Sequence, residues 1–131
     1  MAMRRSEIPE EVLRFIERRI DSVPHLEALL ILWEAPSESW TDVGIGARVY
    51  ISADRARSVL ADLARNGLII AASSVPERYT YNTSWDESQL MSKVATAYRQ
   101  HLVHLSKLIH AKAASAAVLD FARAFELKDK D

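Results

Sequence analysis

The 131-residue sequence predicts a mainly α-helical protein with one small β-hairpin. Three helical patterns follow one another between residues 22 and 66, and two short strand-like runs around a proline-containing turn come directly after them. The chain has only 3 Gly and 4 Pro, which is few for an all-β protein with its many turns. No Gly or Pro occurs from residue 86 to residue 127, so this long stretch is also expected to be helical.

The first two helices are predicted from apolar residues that recur at helical spacing. Residues 9–20 form the first helix, with Pro9 in the first turn, where proline is tolerated. The second helix begins after Asp21 and Ser22, which are candidate caps, and ends at Pro36. Its apolar stripe consists of four residues: Leu26, Leu29, Leu30 and Trp33.

A short third helix is predicted to begin after Thr41, whose hydroxyl is a candidate cap. Gly44 and Gly46 lie inside this helix, and each costs roughly 1 kcal/mol of helix stability relative to alanine. We therefore expect the third helix to be short and to depend on tertiary packing.

The fourth helix, over residues 52–66, begins at the cap Ser52 and ends at Asn66-Gly67, since glycine accepts the left-handed conformation after a helix. Two strands follow, over residues 68–72 and 78–81. The inward face of the helix is predicted to consist of Ala56, Val59, Leu60 and Leu63. The opposite face carries Asp54, Ser58, Ala61, Asp62 and Arg65, flanked by Arg55 and Arg57.

The C-terminal stretch, residues 86–127, is predicted to form one long helix or two abutting helices, with Ser84 as a candidate cap. Its first part carries a continuous apolar stripe: Leu90, Met91, Val94, Tyr98, His101, Leu102, Leu105, Leu108 and Ile109. Beyond Ile109, apolar residues occur on other sides of the helix. A helix that is apolar around most of its girth must be buried, and a twofold dimer is the simplest way to bury it. The predicted dimerisation residues are Leu102, Leu105, Leu108, Ile109, Phe121 and Phe125.

Composition limits the classes of function. The chain lacks Cys, so disulfides and thiolate metal sites are excluded. The N-terminus has no apolar signal segment, and no apolar run approaches the roughly 18 residues that a membrane span needs. We expect a cytoplasmic protein that has no membrane partner. Residues 41–84 contain five Arg and four acidic residues, a net charge of +1, so any contact with nucleic acid is expected to be weak for a single protomer.

Residues 22–82 resemble the winged-helix transcriptional regulators, in particular the small dimeric bacterial type of the MarR and PadR families. The most specific part is YISADRARSVLADLARNGLI, residues 50–69, which is similar to a recognition helix that runs into the first wing strand. The resemblance implies a winged helix-turn-helix domain at residues 22–84 between dimerisation helices in residues 1–21 and 85–131. It also implies a homodimer that inserts the helix at 52–66 into the major groove of double-stranded DNA.

The resemblance also implies which residues contact DNA. The groove-facing half of the recognition helix falls on Ser52, Asp54, Arg55, Arg57 and Ser58, and the wing-tip cation falls on Arg78. The turn between the third and fourth helices falls on Val49-Tyr50-Ile51. Arg55 and Arg57 could contact bases or phosphates. The alternative is a solvated helix surface on which Arg and Asp pair at a spacing of three or four residues. A second function stays open as well: an adaptor that binds a protein partner through the same face.

Enzymatic and metal functions are not predicted. No phosphate-binding loop, metalloprotease or nucleophile motif occurs, so we expect neither catalysis nor a cofactor. His101 and His104 could present two imidazoles to a metal, but a third ligand is not evident nearby, and we expect one core and two surface histidines in this region, His101, His104 and His110. Three tryptophans could line a ligand pocket or belong to the core: Trp33, Trp40 and Trp85.

Overall fold

A computed structural model describes residues 8–86 and 89–114. The elements in chain order are α1 (Glu10–Arg19), α2 (Val23–Glu34), α3 (Asp42–Val49), α4 (Ala53–Arg65), β1 (Ile69–Ala72), β2 (Arg78–Tyr81) and α5 (Leu90–Gln100). Residues 102–114 are also helical and are called α6. The predicted class, mainly α with one small β-wing, is confirmed. Within the described ranges, no helix combines the length and the apolarity that crossing a bilayer requires.

Hydroxyl caps begin three of the helices, as the sequence predicts. Each hydroxyl accepts a hydrogen bond from a backbone amide that has no partner inside its own helix, which is why these residues stabilise helix starts. The three bonds run from His25 N to Ser22 at 3.3 Å, from Gly44 N to Thr41 at 3.1 Å and from Arg55 N to Ser52 at 3.1 Å. The starts of α2, α3 and α4 were therefore predictable from local sequence.

The turn between α3 and α4 requires one of the two glycines. Tyr50 closes α3 in the left-handed conformation, with φ 65°, and the amide of Ile51 then donates to the carbonyl of Gly46 at 3.0 Å. A Cβ on Gly46 would lie 2.8 Å from the Ile51 carbonyl oxygen, whereas a Cβ on Gly44 would meet nothing closer than the Thr41 hydroxyl at 3.4 Å. Gly46 is thus a packing requirement of the turn, and the expectation that both glycines only weaken α3 is wrong for Gly46.

The hairpin is attached to the segment that precedes α3. β1 and β2 pair antiparallel, with Ile69 opposite Tyr81. Trp40 forms an isolated β-bridge to Tyr79, in which Trp40 N donates to Tyr79 O at 2.9 Å and Tyr79 N donates to Trp40 O at 2.8 Å. No local pattern in the sequence indicates this bridge. It fixes the wing against the start of α3 and so against the helix-turn-helix unit.

A single core joins the helix-turn-helix unit to the flanking helices. It includes buried apolar residues from α1 to α6 and from both strands. α4 packs against α2, α3 and β1, while α1 packs against α5. Trp85, which precedes α5, stacks on Phe15 of α1 with ring centroids 5.6 Å apart. The orientation of α4 is therefore fixed by the same core that holds the flanking helices.

Within residues 89–114, the part of the C-terminal region that the structure describes, two helices abut, one of the two predicted arrangements. The break falls at His101, which has φ −132° and ψ 41°. The prediction that Ser84 caps this helix is wrong, because α5 begins only at Leu90. Asp86 serves the start of α5 instead, since its carboxylate accepts from the amides of Leu90 at 2.6 Å and Met91 at 2.8 Å.

Part of the predicted dimerisation stripe is buried in the core of a single chain. Leu105 and Ile109 are fully buried in the core of the single chain, and Leu108 packs partly against that core. Leu105 and Ile109 therefore contribute to the core of the single chain, and the dimerisation role of the stripe stays a prediction. Leu102 is 48% exposed. The other two predicted dimerisation residues lie outside the described residues: Phe121 and Phe125.

Candidate nucleic-acid interface

α4 separates a buried face from an exposed one, as its sequence pattern predicts. Its buried face consists of Ala56, Val59, Leu60 and Leu63, none of which is more than 1% exposed. The exposed side of its first two turns brings together the five predicted contact residues: Ser52, Asp54, Arg55, Arg57 and Ser58. A convex surface on a rigidly packed helix has the shape that a major groove accepts.

Arg55 presents a guanidinium on this surface that is available to a ligand. Its side chain has no hydrogen bond or ion pair within the described residues, and its backbone amide is held by the Ser52 cap. A free guanidinium keeps five donors available for phosphate or for the acceptor edge of guanine. Arg55 is therefore the predicted contact residue whose geometry fits an external anion best.

Arg57 is engaged by two carboxylates. Its Nε lies 3.1 Å from Asp42 at the start of α3, and its Nη1 lies 3.3 Å from Asp54, three residues earlier on α4. The alternative interpretation of the sequence, an Arg–Asp pair at a spacing of three, is thus present at Arg57. The side chain is 63% exposed, so solvent screens both contacts and each contributes little stability.

Arg78 does not extend from the tip of the wing. It is the first residue of β2, and its guanidinium turns back to the segment before α3, where Nε donates to the Ser39 hydroxyl at 2.7 Å and Nη2 donates to the Ser39 carbonyl at 3.2 Å. The turn itself, residues 73–77, carries Val75 fully exposed. Arg78 thus lies at the start of β2 beside Ser39 and not at the wing tip, and its contact with DNA stays a prediction.

Two solved proteins have folds similar to that of this chain. A MarR family protein from Bacillus stearothermophilus aligns with a TM-score of 0.50 and 12% identity over 96% of this chain and 86% of that chain. This chain has the MarR fold. A MarR family transcription regulator aligns with a TM-score of 0.50 and 18% identity over 96% of this chain and 85% of that chain. No family profile matches the sequence, and no curated protein matches it.

Within the MarR fold, Asp62 is placed differently from the prediction. The pattern put it on the exposed face of α4, yet its carboxylate turns towards α2 and lies 2.9 Å from Nε2 of His25. Arg65 pairs with the other oxygen of the same carboxylate. Asp62 therefore braces α4 against α2 instead of repelling phosphate.

His25 is a buried polar residue that the sequence patterns did not indicate. This residue is 7% exposed, and it lies at the start of α2, where its Nδ1 is 2.6 Å from the hydroxyl of Ser22. Its spacing of three from a serine cap was visible in the sequence, but its contact with Asp62 joins residues 37 positions apart. No local pattern indicates a contact of that range.

Tyr79 attaches the hairpin of the MarR fold to the rest of the domain. Burial, followed by the hydrogen bond that its hydroxyl donates to Glu77 at 2.8 Å, raises the pKa of Tyr79 to about 12. The phenol thus remains a neutral donor at physiological pH. The wing is stabilised by this bond and by the backbone bridge to Trp40.

The three tryptophans do not share one pocket in the MarR fold. Trp85 stacks on Phe15, and Trp40 lies at the β-bridge with Arg48 5.4 Å above its ring. Trp33 lines a surface depression of about 350 Å³ between α2, β2 and α5. The interpretation of these residues as parts of the core fits this arrangement better than a shared ligand pocket.

Proposed function

We propose that this protein is a transcriptional regulator that binds double-stranded DNA as a homodimer and inserts α4 of each protomer into the major groove. The observation that carries the proposal is the first half of α4, whose inner face is buried and whose outer face exposes Arg55, a side chain without a partner among the described residues. The fold supports it, since one of the solved proteins with this fold is a transcription regulator.

The ion pairs of Arg57 are compatible with DNA binding. Exposed pairs of this kind contribute about 0–1 kcal/mol, so a phosphate can replace Asp42 or Asp54 as the partner at small cost. Arg55 supplies the contact that needs no such exchange. In this proposal Arg55 is the main DNA-contacting cation and Arg57 is a weaker one.

A second protomer is part of the proposal because one reading helix carries few free cations. The surface between α1 and α6 holds a depression of about 470 Å³ whose apolar lining includes Leu13, Ile16 and Leu108. Leu102 and Val103, at 48% and 65% exposure, add apolar surface at the start of α6. Packing of these flanking helices against a second copy would cover this surface and pair two reading helices.

The test begins with selection of bound sequences from a random pool of double-stranded DNA. Fluorescence polarisation with a selected duplex then compares the natural protein with Arg55→Ala. We expect the substitution to weaken binding by about 1–3 kcal/mol and to relax the preference at one base position. Arg99→Ala, which removes an exposed arginine from α5, is the matched control and should leave affinity unchanged. Equal affinities of all three proteins would contradict the role of Arg55.

The adaptor function remains the second candidate, because carboxylates engage two of the three α4 arginines. Arg57 contacts Asp42 and Asp54, and Arg65 contacts Asp62. An adaptor would show no DNA affinity at low salt, or an affinity that ignores salt, whereas phosphate contacts make DNA affinity fall as salt rises. If Asp54→Asn abolishes capture of a protein partner and leaves DNA binding untouched, the α4 face is an adaptor surface.

A further inference from the structure

Three metal-binding side chains from three segments converge beside α4. Asp21 belongs to the connection between α1 and α2, His25 to the first turn of α2 and Asp62 to α4. One ligand atom of each residue lies within 4.8 Å of those of the other two. We propose that this cluster binds one divalent transition-metal cation, with Zn²⁺ as the reference ion.

The imidazole of His25 is already oriented for this role. It is 7% exposed, its Nδ1 lies 2.6 Å from the Ser22 hydroxyl, and its Nε2 points to Asp62 at 2.9 Å. Metal-binding histidines nearly always have their second ring nitrogen held by such a partner, which fixes the ring and its tautomer. Ser22 is itself fixed as the cap of α2. The side chain therefore needs no rearrangement of its ring to face a cation.

The proton balance of binding is simple. In the tautomer that carries its proton on Nε2, the metal-free protein has Nε2–H donating to Asp62 and the Ser22 hydroxyl donating to Nδ1. A cation takes the lone pair of Nε2, so the proton leaves Nε2, Nδ1 takes up one proton from solvent, and the new Nδ1–H donates to Ser22. The ring stays neutral, no net proton is released from it, and Ser22 remains hydrogen-bonded.

The geometry requires a modest adjustment, in which the 2.9 Å between His25 Nε2 and Asp62 widens and Asp21 moves closer to both. Zn²⁺ binds nitrogen and carboxylate oxygen at about 2.0–2.2 Å in a tetrahedron, which places ligand atoms roughly 3.4 Å apart. Asp21 can close this gap because its side chain is 64% exposed and lies in a connection between helices. Water would supply the fourth ligand. Imidazole with carboxylates and no thiolate suits Zn²⁺, Co²⁺ and Ni²⁺, whereas Mg²⁺ prefers oxygen ligands alone.

Two side-chain cations now balance the carboxylates and compete with a metal ion. Lys112 lies 3.7 Å from Asp21, but its ammonium is bound more closely to the Ile20 carbonyl at 2.7 Å. Arg65 pairs with Asp62 while its side chain is 70% exposed. Both contacts can open without disturbing the core. Removal of the Arg65 guanidinium should therefore raise the affinity for the cation.

The experiment is a calorimetric titration of the full, untagged chain with ZnCl₂, in the absence of DNA. We expect one ion per chain, no binding of Mg²⁺, and a loss of Zn²⁺ affinity of at least about tenfold in Asp21→Asn. Asp21 is exposed, so this variant should fold normally. Arg65→Ala should bind Zn²⁺ more tightly than the natural protein, and Asp54→Asn, a neutralised aspartate elsewhere on α4, should bind it equally well.

A second readout identifies the histidine. Co²⁺ bound at this site should show a visible ligand-field spectrum that His25→Gln abolishes and His104→Gln, on the exposed face of α6, preserves. Absence of Zn²⁺ binding would overturn the proposal, as would an affinity that is unchanged in Asp21→Asn or lost in His104→Gln. Because no DNA is present, these results are independent of the proposed regulatory function.

Discussion

Replacement of Gly46 by alanine tests the packing of the turn between α3 and α4. A Cβ at this position would lie 2.8 Å from the carbonyl oxygen of Ile51, which is backbone and cannot rotate away. The adjacent turn must therefore shift, although the Ile51 amide is bound to the Gly46 carbonyl at 3.0 Å. Gly44, two residues earlier in the same helix, offers a matched control because a Cβ there meets only ordinary contacts.

The magnitude follows from two opposing effects. Alanine in place of glycine inside a helix stabilises by about 1 kcal/mol, and this gain applies to both positions. Overpacking against fixed atoms costs typically about 1–3 kcal/mol, and this loss applies only to Gly46. Gly44→Ala should therefore be more stable than the natural protein by up to about 1 kcal/mol. The difference between the two variants isolates the clash and should be about 1–3 kcal/mol.

The measurement is urea-induced unfolding of the two variants and the natural protein, followed by far-ultraviolet circular dichroism. Thermal unfolding gives a second value, since each kcal/mol shifts the midpoint by roughly 3–5 °C for a chain of 131 residues. If Gly46→Ala is as stable as Gly44→Ala, the turn does not approach α3 as closely as described, and the reasoning is refuted.

Two further predictions concern the charge of α4 and the wing. In Asp42→Asn, Arg57 loses one of its two carboxylate partners, so the affinity for DNA should rise. The dependence of log affinity on log salt concentration, measured by polarisation, should steepen by up to about one unit per protomer. An unchanged slope would show that Arg57 does not reach phosphate. Burial and the hydrogen bond to Glu77 raise the pKa of Tyr79 from its ordinary 10.0 to about 12, so the folded state keeps a proton that the unfolded state loses. Stability should therefore fall as the pH rises from 10 to about 12. Denaturation across this pH range should show a shallower fall in Tyr79→Phe, and an identical fall would contradict the assignment.

Local sequence was sufficient for most of the fold. Serine and threonine caps fixed the starts of α2, α3 and α4, and Asn66-Gly67 fixed the end of α4, because these signals act within one turn of helix. The break at His101 was not predictable in the same way. No Gly or Pro marks it, and the apolar pattern runs through it, so tertiary packing overrides the continuous helical pattern there.

The candidate site was predicted less completely than the fold. Helical periodicity correctly predicted that Arg55 and Arg57 are exposed, since this pattern depends only on the residues of α4. It could not reveal that Arg57 reaches Asp42 across 15 positions or that Arg78 reaches Ser39 across 39. Periodicity also assigned Asp62 to the exposed face of α4, because its partner His25 belongs to another helix and is invisible to a pattern within α4. The charges available to a ligand depend on these long-range pairs.

The C-terminal end of α4 is tied to α2 and to the end of α1. Asp62 holds His25 of α2 at 2.9 Å, and the Asn66 carbonyl accepts from Arg19 at the end of α1 at 2.5 Å. The position of the C-terminal end of α4 is therefore coupled to α1 as well as to α2. In the proposed dimer, a small rotation of one α1 relative to the other would change the distance between the two α4 helices. Both α4 helices can read the same duplex when they lie about one DNA turn apart, near 34–36 Å, or a multiple of it, so the contacts of α4 with α1 and α2 contribute to setting this distance.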